Sequence, residues 1–248
     1  MKVLGTYEKA RIYIEKHYHD SEEAKHHRRM LNPGPTITIS RETGIGATFI
    51  CQKLTEYFNK FAVKGYDDWT YFDRDLMEKV MEDHHLPEHF RKFLSEEKPH
   101  TIESWFSEMM GVSPSKFLLL HKTSQTILKL ASFGNVILVG RGANIITSMF
   151  SNTFHIRLVA PLEYRIENAM KLYDIDRKKA TEFIKVEDEA RKNYIWKYFH
   201  KEIDDPHLYH AVINTNLLEQ NEIAEMIGHC VIKRFPNFFV KNDFAFKN

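Results

Sequence analysis

The sequence predicts an α/β protein, a three-layer sandwich in which about five parallel strands lie between helices. Two patterns carry this. Short β-branched or continuously apolar runs recur at 36–40, 69–72, 135–139, 154–159 and 210–214. Each is followed by a longer stretch whose apolar residues return at helical spacing, and strands alternating with helices imply parallel crossovers. Length and composition agree: 248 residues, 43% apolar and 28% charged, suit one sizeable core with an appendage.

The first stretch reads as a helix over 6–30, with Tyr7, Ala10, Ile14 and Tyr18 near one face. Asn32-Pro33-Gly34-Pro35 stops it. Residues 1–35 therefore form an N-terminal helical extension, and its apolar stripe would suit a homodimer contact. The main domain is expected over 36–235. The alternating run 36–40 is the first strand, and Arg41-Glu42-Thr43-Gly44-Ile45-Gly46-Ala47-Thr48 is a glycine-containing turn. Ile50, Cys51, Leu54, Tyr57, Phe58 and Phe61 then mark an amphipathic helix.

The strand at 69–72 ends at Asp73-Arg74-Asp75, and 74–132 reads as largely helical, broken at Pro87, Pro99 and Pro114. Val136 to Val139 is the apolar run of a strand buried on both faces, ending in Gly140-Arg141-Gly142. After the strand at 154–159, Pro161 sits in a first helical turn, and helices are expected over 161–173 and 176–200. A last strand, a closing helix over 218–234 and a tail over 236–248 without clear period complete the chain.

Charge excludes some functions. With 35 basic and 34 acidic residues the net charge is +1, no footprint for duplex nucleic acid. Charges break every apolar run of the N-terminus, so neither a signal peptide nor a membrane span is expected. Cys51 and Cys230 form no CxxC pair and read as two buried thiols of a reducing compartment, which points to the cytoplasm. The pairs His17/His19, His26/His27 and His84/His85 do not share helical faces and have no cysteine or acidic cluster to complete a metal site. The aromatic residues fall mostly at core spacing.

Ligands of parallel sheets bind at the carboxyl ends of the strands, which directs attention to the segments following them. The turn at 41–48 leads into a helix N-terminus, where free N–H groups and the helix dipole favour a phosphate. Gly44 and Gly46 let the backbone curl close, yet only two positions of the GxxxxGK[ST] template match: Gly46, and Thr48 at the Mg²⁺-binding hydroxyl. Arg41 stands at the first glycine and Ala47 at the lysine. Taken alone, the turn serves a plain tight bend as well as a phosphate loop. Arg141, between Gly140 and Gly142, is placed to fork two hydrogen bonds onto a phosphate, or is a surface arginine of a turn. On the helix 176–200, Lys185, Asp188 and Arg191 would by themselves be a solvated face.

Taken in order, these blocks carry a resemblance. Ile37 to Gly46 resembles the ISRE-x-G-S-G opening of the cytidylate kinase-like family. Tyr71-Phe72-Asp73-Arg74-Asp75-Leu76 is similar to its Y-D-[KR]-[ED]-[LI] block, and Val139-Gly140-Arg141-Gly142-Ala143 to its V-G-R-G-A segment. Leu158 to Pro161, Arg165, Asp188 with Arg191, Tyr209 and Val212 to Thr215 follow in the family's order, so the likeness spans 36–232. It implies a P-loop NTPase-type kinase domain, with an acceptor-side insertion over 80–132 and lid-like helices over 176–205.

It further implies ATP with Mg²⁺ as donor, small-molecule nucleotide substrates and, by default, CMP as acceptor. Thr43, Gly44, Ile45, Gly46, Ala47 and Thr48 would hold phosphates, with Thr48 reaching Mg²⁺ through the nucleotide. Arg141 would hold the acceptor phosphate or the transferred group, and Arg165 would lie near the donor. Arg191 and Lys185 would come from the lid, with Asp188 orienting them. Asp73, Arg74, Gly140 and Gly142 would stand on the acceptor side. Cytidylate kinases proper have a loop lysine where this chain has Ala47, and Arg41 is the expected substitute. Two alternatives stay open: a nucleotide-binding protein without catalysis on the same fold, and a kinase for a small molecule that is not a nucleotide.

Overall fold

The computed structural model describes residues 33–63, 68–73 and 114–240, without the side chains of 114–119, 121 and 122. The expected N-terminal helix, Arg74, most of the insertion and the end of the tail lie outside the described residues. Five parallel strands form one sheet: β1 (Thr36–Arg41), β2 (Thr70–Phe72), β3 (Val136–Val139), β4 (Thr153–Val159) and β5 (Ala211–Asn214). Their order is β2-β3-β1-β4-β5. The strand order therefore reverses at β1, and the crevice outside its carboxyl end is where such sheets bind ligands.

The alternation of β1 sorts its two faces. Ile37 and Ile39 point to one side, against α1 (Ala47–Phe61) and the last helix, α6 (Gln220–Arg234). Leu54 and Phe58 of α1 and Ile223, Ile227 and Val231 of α6 complete that layer. Trp69 stacks on Phe58 at 4.2 Å between ring centroids, and Phe239 lies 5.7 Å from Phe58. Phe238 and Phe239 are thus part of the core, tied by an Ala62–Phe239 bridge, although their sequence shows no period. On the other face Thr36, Thr38 and Ser40 meet the layer of α2 (Pro114–Phe133) and the short α3 (Ala143–Ile146), where the Thr36 hydroxyl donates to the Ala131 carbonyl at 3.2 Å.

Helices α4 (Leu162–Tyr173) and α5 (Arg177–Phe199) form a hairpin with a small apolar cluster of its own: Ile166, Ala169, Ala180 and Ile184. Asp176 caps α5, accepting from the Lys179 N–H at 2.8 Å, and Glu219 with Glu222 forms a capping box on α6. Among the described residues no helix is long and apolar enough to cross a membrane. One expectation is corrected. Cys51 is buried but Cys230 is exposed, because it falls on the outer side of α6 between the inward Ile227 and Val231.

Candidate active site

The turn after β1 is built to bend tightly. Gly44 has φ +87°, and a Cβ there would sit 2.5 Å from the Arg165 carbonyl oxygen, so a side chain is excluded twice over. α1 starts without a side-chain cap, leaving its first N–H groups to a ligand or to water. Residues from α4 and α5 hold the turn in place. The Asp188 carboxylate accepts from the Thr43 N–H at 2.8 Å and from the Thr43 hydroxyl at 2.6 Å. Arg165 donates to the other Asp188 oxygen at 2.6 Å and to the Thr43 carbonyl at 3.3 Å. Arg191 donates to the Thr43 hydroxyl and, at 3.1 Å, to Asp188.

The turn after β3 is held as tightly. Gly140, Arg141 and Gly142 have φ of +83°, +53° and +70°, three left-handed residues in succession. A Cβ on Gly140 would meet Arg41 Nη1 at 2.2 Å, and one on Gly142 would meet the Phe199 ring at 2.6 Å. The backbone therefore passes beneath the Arg41 guanidinium, while the end of α5 presses on the turn from above. Arg141 lies over the ring of Tyr194 on α5, 5.9 Å from its centroid, and burial pushes the Tyr194 phenol up to about 12.

Two adjoining cavities open between these turns and α5. The first, of about 190 Å³, lies by Ser40, Gly140, Arg141, Asn144 and Tyr194. The second, of about 340 Å³, lies by Ala47, Thr48, Cys51, Tyr71, Asp73 and Phe183. Arg41, Glu187 and Arg191 line both. Burial first, then the neighbouring charges of Arg191 and Arg141, bring the Arg41 guanidinium down to about 10, with Cys51 and Asp73 opposing. Arg41 remains a cation at neutral pH, one that an anion at this junction would stabilise. Burial pushes the Cys51 thiol up to about 12, so it packs as a neutral group.

The structure thus brings Arg41, Arg141 and Arg191 to one place, with Gly140 and Gly142 beside the first cavity and Thr48 and Asp73 beside the second. Thr43 and Gly44 serve the turn itself, and the Ile45 side chain is buried in the core beneath it. Arg165, expected near a donor nucleotide, is buried and binds Ala160, Thr43, Asp188 and Glu42. Lys185 is exposed on α5 and lines neither cavity. Glu42 and Glu187 escaped the sequence reading. Glu42 accepts from the Ala160 N–H at 2.9 Å and pairs with Arg165 at 3.4 Å, and its position beside the turn was the available signal. Glu187 pairs with Arg191 at 3.3 Å, the i,i+4 spacing of a helical ion pair.

A family model described as the cytidylate kinase-like family matches residues 36–217 of the sequence. The chain belongs to that family. The match takes in all five strands, both turns and the α4–α5 hairpin. Among solved structures, an uncharacterized protein from Eubacterium ventriosum is similar at 20% identity and a TM-score of 0.59, covering 80% of this chain and 98% of its own. A shikimate kinase from Bacteroides thetaiotaomicron is similar at 14% identity and a TM-score of 0.43, covering 82% of this chain and 98% of its own. A curated relative, the uronate isomerase of Corynebacterium glutamicum, is 25% identical over 118 residues, or 48% of this chain. The chain spans 23% of that relative's length. The fold is a three-layer α/β sandwich around a five-stranded parallel sheet.

Proposed function

We propose that this protein transfers the γ-phosphoryl group of ATP to a small acceptor, by default a nucleoside monophosphate such as CMP. The observation that carries the reading is the convergence of Arg41, Arg141 and Arg191 on the first cavity, with Arg41 and Arg191 also lining the second, at the carboxyl ends of β1 and β3. Phosphoryl transfer asks a protein for positioning and for charge placed around the transferred group. Arg41 supplies a cation within the turn where a lysine would otherwise stand. Arg141 is aimed by its left-handed backbone and its contact with Tyr194, and Arg191 arrives from α5. Helix α5, within the lid-like stretch 176–205, acts as the lid, and covering the junction excludes water that would otherwise accept the phosphoryl group.

The residues present suit Mg²⁺ carried with ATP, since the Thr48 hydroxyl and the Asp73 carboxylate, both beside the second cavity, are hard oxygen donors. When bound there, the ion neutralises charge on the phosphate oxygens. A cytoplasmic location, with ATP at hand, accompanies this reading.

Ala47 at the lysine position favours a second reading, nucleotide binding without turnover. One experiment separates the two. Full-length protein with Mg²⁺ is scanned for thermal shift against ATP, GTP, CMP, dCMP, UMP and AMP, while ADP release is followed in the same samples. Stabilisation by ATP together with ADP release driven by one monophosphate supports the kinase. Stabilisation without release on any acceptor supports the second reading, and no shift with any nucleotide overturns both. Arg41→Ala is expected to lower ATP affinity about tenfold or more, and unchanged affinity and turnover would remove Arg41 from the role given to it.

A further inference from the structure

A third cavity, of about 500 Å³, lies on the far side of α3 from the junction just described, and Asn144 is common to its wall and that of the first cavity. Its polar wall combines Lys201, His207, His210, Arg234 and His155 with the hydroxyls of Ser148 and Ser151. Ile145, Phe150 and Leu208 form apolar wall beside them. No carboxylate lines it among the described residues. Of the nearby acids, Asp205 pairs with His207 of the wall itself at 2.8 Å, whereas Asp204 is engaged elsewhere, with Arg157 at 2.5 Å and Lys192 at 3.1 Å. Arg234 and Lys201, both exposed cations beside the same hollow, form no close ion pair among the described residues, although the Lys201 charge is felt by the Asp205 carboxyl.

Hydrogen bonding sets the state of the two central imidazoles. His210 Nδ1 accepts from the His155 N–H at 2.9 Å, so the neutral His210 ring carries its proton on Nε2. The Thr153 hydroxyl donates to the Phe150 carbonyl at 2.7 Å, so it accepts from His155 Nε2, and His155 Nδ1 accepts from the Thr38 hydroxyl at 2.8 Å. His155 is thereby satisfied on both nitrogens. His210 keeps an Nε2–H that no described residue accepts. Its ring is fixed by stacking on Phe154, with centroids 4.8 Å apart.

We infer that this cavity is a second anion site, taking the phosphate group of a small organic phosphate between Arg234, Lys201 and the His210 Nε2–H, with the carbon body on Ile145, Phe150 and Leu208. Two full cations, an imidazole donor and two hydroxyls match a dianion with several acceptor oxygens better than a lone carboxylate. The site does not depend on the proposed reaction. It draws on Lys201, just beyond the end of α5, and on Arg234 at the end of α6.

The test is a titration of full-length protein followed by the ¹H–¹⁵N signals of the imidazole rings, with His210 assigned through His210→Gln. Inorganic phosphate, phenyl phosphate and acetate are the probes, each at constant ionic strength. The expected result is a saturable shift of the His210 signals with phosphate, and affinity for phenyl phosphate higher by about fivefold or more from the apolar wall. The Arg234→Gln/Lys201→Gln double variant should bind both about tenfold or more weakly, whereas Arg41→Gln, at the other junction, should leave the His210 response unchanged. Absence of a saturable shift, an equal response to acetate, or full affinity in the double variant would each overturn the assignment. Phenyl phosphate binding no tighter than inorganic phosphate would overturn its organic part.

Discussion

Arg41 ends β1 with its guanidinium over the backbone of Gly140, and that single contact joins the two turns on which the site depends. A side chain at Gly140 has nowhere to go. Its Cβ would meet Arg41 Nη1 at 2.2 Å, and the φ of +83° is one that L residues rarely adopt. Arg41 is the flexible partner, so it would yield, and the cation would leave the junction. Gly140→Ala is therefore expected to cost about 1–3 kcal/mol in urea unfolding, from backbone strain. It should also weaken ATP binding as Arg41→Ala does. A Gly140→Ala protein with native stability and native ATP affinity would show that the turn does not hold Arg41. The lesson for the other glycine turn is the same, since Gly44 leaves no room for a side chain against the Arg165 carbonyl.

At the scale of elements, α5 is the piece that completes the site, and Asp188 is what fixes it there. One carboxylate gathers the Thr43 N–H, the Thr43 hydroxyl, Arg165 and Arg191, so the turn after β1, α4 and α5 are locked through a single residue. Removing its charge leaves Arg165 buried beside a weaker acceptor. Asp188→Asn is expected to destabilise the protein by about 2 kcal/mol or more and to speed proteolytic cleavage in the α4–α5 hairpin before global unfolding. Unchanged urea and proteolysis profiles would mean that α5 is held by its apolar contacts alone.

The sequence reading reached the strands, α4 and α5 because hydrophobic period and proline breaks are local signals. It also placed Asp188 and Arg191 one helical turn apart. Nothing local could show that Asp188 accepts from Thr43, 145 positions away, or that Arg165 is committed to the turn. Those bonds depend on how two helices cross the sheet edge. Phe238 and Phe239 were illegible for a similar reason: both join the core, Phe239 against Phe58 and Trp69, from a short segment with no repeat to betray it. Glu42 and Glu187 were missed because a carboxylate in a turn or on a helix face reads first as a solvated charge.

Across the whole molecule, the sheet combines an apolar layer against α1 and α6 with a mixed one against α2 and α3, where Val136, Leu138 and Phe72 share the face with polar side chains, and those polar side chains make stability depend on pH. Thr38, His155 and Arg157 occupy it side by side on β1 and β4. Arg157 is buried against Ser40 at 2.9 Å and Asp204, while His155 has 7% of its surface exposed. Burial first, then His210 and Arg234, bring the His155 imidazole down to about 4 from an ordinary 6.5. Burial and Arg234 lower His210 in the same direction. The sign follows from proton counts. Between pH 6.5 and 4 the unfolded chain binds a proton at residue 155 that the folded chain does not. The stabilisation is present in full above 6.5 and is lost as the pH falls toward 4, by up to roughly 3 kcal/mol. Urea unfolding at pH 7.5 and 5.0, in buffers free of phosphate so that the cavity beside His210 stays out of the comparison, should show the wild type losing stability at the lower pH. His155→Gln should be less stable at pH 7.5 yet lose distinctly less between the two. An equal loss in both proteins would place the acid sensitivity in other groups and leave His155 a neutral packing residue whose proton uptake never competes with folding.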